Sequence, residues 1–122
     1  MVVVDASALA AIVFLEPEAA VLRNRLRGQR LVAPAILRFE LVNIARTKTR
    51  QRSADADAIA DALRDALAYA VSIEEVDFNA VLTLALDTHL SAYDAAYLWL
   101  SKTRGIPLVT LDKKLGAHAA KL

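Results

Sequence analysis

At 122 residues the chain is long enough for one hydrophobic core and too short for two ordinary domains. Hydrophobic residues make up 57% of it, cysteine is absent, and charges interrupt every apolar run before it reaches bilayer length. That excludes disulfide frameworks, thiolate metal sites, cysteine nucleophiles and membrane-spanning helices.

Met1-Val2-Val3-Val4-Asp5 is a β-branched run ending in an acid, the pattern of a buried strand in a parallel sheet. It has no basic lead and no small-residue cleavage pattern, so a cytoplasmic location is expected. Ser7 is expected to cap a helix reaching Leu15. Beyond Pro17, Glu18 to Arg27 forms a second helix with Val21, Leu22 and Leu26 on one face, closed by Gly28. Arg30 to Ala33 is a second strand. Pro34 suits the first turn of a helix carrying Ile36, Leu37, Leu41 and Ile44, which puts Glu40 in its middle. Arg46 to Arg52 reads as a polar turn, and Ser53 as the cap of an alanine-rich helix with Ile59, Leu63 and Ala66. Val71 to Val76 is a third strand, Phe78 to Leu86 a helix, and Ser91 opens another helix that ends at Gly105. Leu108 to Leu111 is a fourth strand ending at Asp112, before a short helix containing Leu115 and Ala119. Strands alternating with helical pairs predict an α/β three-layer sandwich, with a central, mainly parallel sheet flanked by helices, as one domain over 1–122.

The net charge of +1 hides a sharp separation. Arg23 to Arg52 holds nine basic residues and one acid, Glu40; Ser53 to Asp94 holds nine acids and one base, Arg64. Such blocks are solvated faces that offset each other, or a basic surface that follows a phosphate backbone.

Asp5 and Asp112 each follow an apolar strand, and parallel strands bring both to one edge of the sheet, where ligands of open α/β sheets bind. Clustered carboxylates repel unless a cation neutralises them, and Mg2+ needs only one or two carboxylates with waters and phosphate oxygens. Glu40 lies beside the apolar face of its helix, pointing inward or pairing with Arg38 or Asn43. Asp94 completes a capping-box pattern with Ser91, Asp112 suits a helix cap, and Asp5 beside Ser7 suits an Asx turn. Each acid therefore has both a structural and a chemical reading. His89 and His118 are isolated and carry no assigned role.

Four segments together resemble the PIN domain family, and within it the toxin ribonucleases of VapBC modules. They are Val3-Val4-Asp5-Ala6-Ser7-Ala8, Pro34 with Phe39-Glu40-Leu41-Val42-Asn43, Ser91-Ala92-Tyr93-Asp94-Ala95-Ala96-Tyr97, and Gly105 to Asp112. The resemblance implies an acidic catalytic and metal site of Asp5, Glu40, Asp94 and Asp112, with Ser7 and Thr110 in support. It implies Mg2+- or Mn2+-dependent hydrolysis of RNA phosphodiesters, with Arg46, Lys48 and Arg50 as backbone contacts. It also implies a VapB-type antitoxin partner and a homodimer; no membrane partner is expected, because no apolar run reaches bilayer length. Leu115 departs from the pattern where some relatives carry a further acid. A non-catalytic PIN-fold module that binds RNA or a protein is the alternative. A phosphoacceptor signalling domain would need an acid pair after the first strand, where Asp5 is followed by Ala6; a dehalogenase-like phosphatase would need an acid at Ser7.

Overall fold

Four short apolar runs pair side by side, all parallel, in the computed structural model, which describes residues 1–122. They are β1 (Val2–Val4), β2 (Leu31–Ala33), β3 (Val71–Ile73) and β4 (Leu108–Val109), ordered β3-β2-β1-β4. Val3 sits opposite Val32 on one side and Leu108 on the other, so β1 is central, and Val3 and Val4 are wholly buried. Each parallel step requires a crossover, which the helices provide. After β1 come α1 (Ala6–Val13) and α2 (Ala19–Leu26); after β2, α3 (Ile36–Gln51), a 3₁₀ turn (Ser53–Asp55) and α4 (Ala56–Leu67); after β3, α5 (Phe78–Thr88) and α6 (Ala92–Arg104); after β4, α7 (Lys113–Ala119). The expected strand and helix order is the observed one, and the sheet is wholly parallel.

The helices fall into two groups. One packs α1 against α2, α3 and α4; in the other, α6 packs against α5 and α7 and lies on β1 and β4. Leu9 and Ile12 from α1, Leu37 and Leu41 from α3, Tyr97, Leu98 and Leu100 from α6, and Leu115 from α7 join the strand valines in one apolar cluster. Burying each such side chain stabilises the fold by roughly 1.5–3 kcal/mol relative to exposure, before chain entropy is counted.

Several local expectations are corrected. Arg46 to Arg52 is no turn: α3 continues to Gln51, because Ala45 is buried, Thr49 donates to the Ala45 carbonyl, and arginine and lysine favour helix. Ser53 opens the 3₁₀ turn and does not cap α4, whose preceding residue, Asp55, makes no side-chain cap bond. Ser7 lies inside α1, and Asp5 is the cap. The third strand stops at Ile73, since it is an edge strand with only β2 to pair with. The fourth stops at Val109, where Thr110 turns its hydroxyl to Asp5.

Candidate active site

Asp5 leaves β1 at the carboxyl edge of the sheet and is almost fully buried, at 5% exposure. Its Oδ1 accepts from the Ala8 amide at 3.1 Å, capping α1, and from the Ser7 hydroxyl at 2.7 Å; its Oδ2 accepts from the Thr110 hydroxyl. The Ser7 Oγ accepts from the Leu111 amide at 2.9 Å, and the Thr110 Oγ1 from the Asp112 amide at 3.0 Å. These bonds tie the end of β1 to the end of β4, its neighbour. Ser7 and Thr110 thus hold Asp5, and the loop they fix delivers Asp112.

Glu40 projects from the second turn of α3 toward α6, nearer the helix start than expected because α3 runs on to Gln51. Its Oε1 accepts from the Tyr97 hydroxyl at 2.7 Å, so a fully buried tyrosine joins the two helices through one carboxylate. Asp94 stands three residues before Tyr97, hence on the same face of α6. Ser91 accepts from the Asp94 amide at 3.1 Å and caps α6, but the reciprocal bond of a capping box, from the Ser91 amide to the Asp94 carboxylate, is not made. Asp112 caps α7 by accepting from the Leu115 amide at 2.8 Å, while its side chain stays exposed.

All four acids line one open cleft of about 390 Å³, with Ser7, Asn43, Phe39, Tyr93 and Tyr97 among its walls. Proximity is visible in the acidities of Asp5, Glu40 and Asp94. Asp5 is raised above the usual aspartate value, chiefly by burial, which outweighs its three hydrogen bonds, and further by the charge of Asp94. Burial also raises Glu40; the Tyr97 bond opposes this, and Asp94 and Asp5 add to it. Asp94 is raised by burial and then by Asp112, against the Ser91 hydroxyl and Lys114. Burial, then Glu40, pushes the Tyr97 phenol far above its ordinary value, so it remains a donor. Self-repelling carboxylate oxygens are the donor set that a hard divalent cation fits.

The other candidates lie apart. Lys48 pairs with Glu16 at 3.1 Å and lies over the Phe14 ring at 4.8 Å, whereas Arg46 and Arg50 are exposed, one helical turn apart. None of the three lines the cleft. His89 takes the left-handed conformation after α5, His118 sits in the last turn of α7, and neither reaches the acids. Leu115 is wholly buried, so the position where some relatives carry an acid faces the core here. The sequence reading missed Tyr97 and Asn43. Each follows a cleft acid by three residues on the same helix, a spacing that could have placed them, although Tyr97 within Ala95-Ala96-Tyr97-Leu98 reads as core.

The PIN domain family model matches residues 2–121. Ribonuclease VapC12 of Mycobacterium tuberculosis is 29% identical over 116 residues, covering 94% of this chain and 89% of its own, with the same figures in two strains. The crystal structure of PAE2754 from Pyrobaculum aerophilum superposes with a TM-score of 0.78 at 26% identity, covering 97% of this chain and 84% of that one. Mycobacterium tuberculosis VapC20, described as a toxin that cleaves the sarcin-ricin loop, shares the fold with a TM-score of 0.66 at 16% identity, covering 96% and 94%.

Proposed function

This chain belongs to the PIN domain family, and on that premise we propose that it is a VapC-type toxin, an endoribonuclease that hydrolyses RNA phosphodiesters with a divalent cation, Mg2+ or Mn2+. The observation that carries this reading is the convergence of Asp5, Glu40, Asp94 and Asp112 on one cleft from four separate stretches of chain. We assign the catalytic and metal-holding roles to these four acids, and supporting roles to Ser7 and Thr110. The chain acts as one domain, 1–122, since every helix and strand around the cleft packs into the same core.

Asp5, fixed by three hydrogen bonds, is the most rigid oxygen donor, and Glu40, held by Tyr97, the second. Asp94 and Asp112 are more open to solvent and face incoming phosphate. A bound divalent cation would supply charge neutralisation at the phosphoryl oxygens and acidify an attacking water. The residues themselves orient that site and leave an open mouth for a polymer. The exposed rings of Phe39 and Tyr93 at the rim offer stacking surfaces for unpaired bases, and Arg46 and Arg50 supply positive charge farther along α3.

As partners we propose RNA as substrate, a VapB-type antitoxin as inhibitor and a second copy of this chain, with a cytoplasmic location. No helix is long and apolar enough to cross a membrane. The homodimer is supported by α5, where Phe78, Leu82 and Leu86 recur every fourth residue and stand 82%, 58% and 67% exposed.

The deciding experiment incubates purified, antitoxin-free protein with a pool of structured RNAs in Mg2+, in Mn2+ and in chelator, beside Asp94→Asn. Cleavage that needs the cation and disappears in the variant is expected. Folded wild type that cleaves nothing with either ion would leave the non-catalytic binding module as the better reading.

A further inference from the structure

The fold splits the basic block of the sequence in two. One half lies along α3; the other gathers at the amino edge of the sheet, at the opposite end of the strands from the acids. There Arg23 and Arg27, one helical turn apart near the end of α2, flank a cavity of about 340 Å³ together with Gln29 and Tyr69. A second cavity of about 400 Å³ continues past Gln29 to Arg30 along the starts of β2 and β3.

None of these arginines has a carboxylate partner. The three ion pairs of the chain are Lys48 with Glu16, Arg64 with Asp61 and Arg104 with Glu74. Arg23, in the last turn of α2, and Arg27, its C-cap, lie where the helix dipole favours a cation. Arg30, beyond the helix and just before β2, has no such explanation, and like charges crowded around one edge oppose folding. Tyr69 is half-buried beside them and its hydroxyl pairs with no protein group. Two cavities sharing Gln29 form a track, not a closed pocket, and a track of guanidinium groups suits a repeating anion.

We propose that this edge is a second RNA-binding surface, where Arg23, Arg27 and Arg30 grip the phosphodiester backbone of a folded substrate whose scissile bond lies in the acidic cleft. The inference rests on the ribonuclease reading and adds how the substrate is chosen. The strands are at most three residues tall, about 10 Å, so one structured RNA touches both ends while a short single strand occupies only the cleft.

The test measures binding of a structured RNA to Asp94→Asn protein across a salt series, then repeats it with Arg23→Gln, Arg27→Gln and Arg30→Gln combined. The combined variant is expected to bind roughly tenfold more weakly or worse near physiological salt, with the log–log salt slope reduced by about two to three. Arg23→Lys, Arg27→Lys and Arg30→Lys, which keep the charges, should restore the slope. An unchanged slope in the glutamine variant overturns the proposal and leaves the ribonuclease reading standing. If that variant instead loses self-association while RNA binding is unaltered, the edge is a docking surface for an acidic protein face and the RNA proposal falls. Absence of RNA binding together with absence of wild-type cleavage overturns both.

Discussion

Asp5 accepts three hydrogen bonds and is still harder to ionise than a free aspartate, so desolvation outweighs its donors. Glu40 and Asp94 are raised in the same direction, which makes stability depend on pH with a definite sign. A raised folded-state pKa means that the native state holds its proton more tightly than the unfolded chain. The resulting stabilisation is full below the ordinary values, 3.8 for aspartate and 4.5 for glutamate, and is lost as pH rises through the raised ones. Metal-free protein should therefore melt at a lower temperature near pH 7 than near about pH 5, and Asp94→Asn should flatten that difference. A profile without slope in calorimetry would mean that the cluster carries no electrostatic strain. Tyr97→Phe tests the other buried contact. Losing the hydroxyl should cost about 1 kcal/mol of stability and, because the bond lowers the Glu40 pKa, shift the acid limb of the cleavage pH profile upward. An unmoved limb would separate Tyr97 from the chemistry.

At the scale of elements, helix ends decide where the acids stand. Asp5, Asp112 and Ser91 cap α1, α7 and α6, so two of the cleft acids are also structural caps and a third, Asp94, lies in a capped first turn. The two roles separate by substitution. Asparagine caps about as well as aspartate, whereas alanine costs about 1 kcal/mol. Asp112→Asn should keep the melting temperature and lose cleavage; Asp112→Ala should lose both. Full activity in the asparagine variant would reduce Asp112 to a cap. The length of α3 matters for the same reason: the helix carries Glu40 to the cleft and then extends about three more turns, placing Lys48 beside Glu16 and Phe14.

For the whole molecule, two ligands should report on the surfaces it leaves open. A cation that binds only the native state stabilises it by RT ln(1 + [L]/Kd), about 2.7 kcal/mol at a hundredfold excess over Kd. Mn2+ should raise the melting temperature of wild type and raise that of Asp94→Asn less. The exposed stripe on α5, Phe78, Leu82 and Leu86, lies away from the residues that line the cleft. An apolar stripe that a two-fold axis sets against its own copy fits a pairing of copies. Leu82→Glu should convert a dimer to a monomer in sedimentation; a monomeric wild type would remove the pairing.

The sequence by itself determined the element order and put Asp5 and Asp112 at one edge of the sheet, because strand and helix periodicity, glycine stops and strand-end carboxylates are local signals; the grouping of these two with Glu40 and Asp94 came from the family resemblance. It could not decide whether Asp94 was a cap or a cleft residue, nor whether Glu40 faced inward, since both depend on a helix distant in sequence. It also placed a turn at Arg46 to Arg52, where local polarity gives no sign of the packing by Ala45 and Lys48 that sustains α3. Only the tertiary structure joined Tyr97 to Glu40 across 57 positions and divided one basic block between two ends of the sheet. The physical reason is common to all of these: side-chain direction and burial are set by what packs opposite, and the chain neighbours of a residue do not specify that.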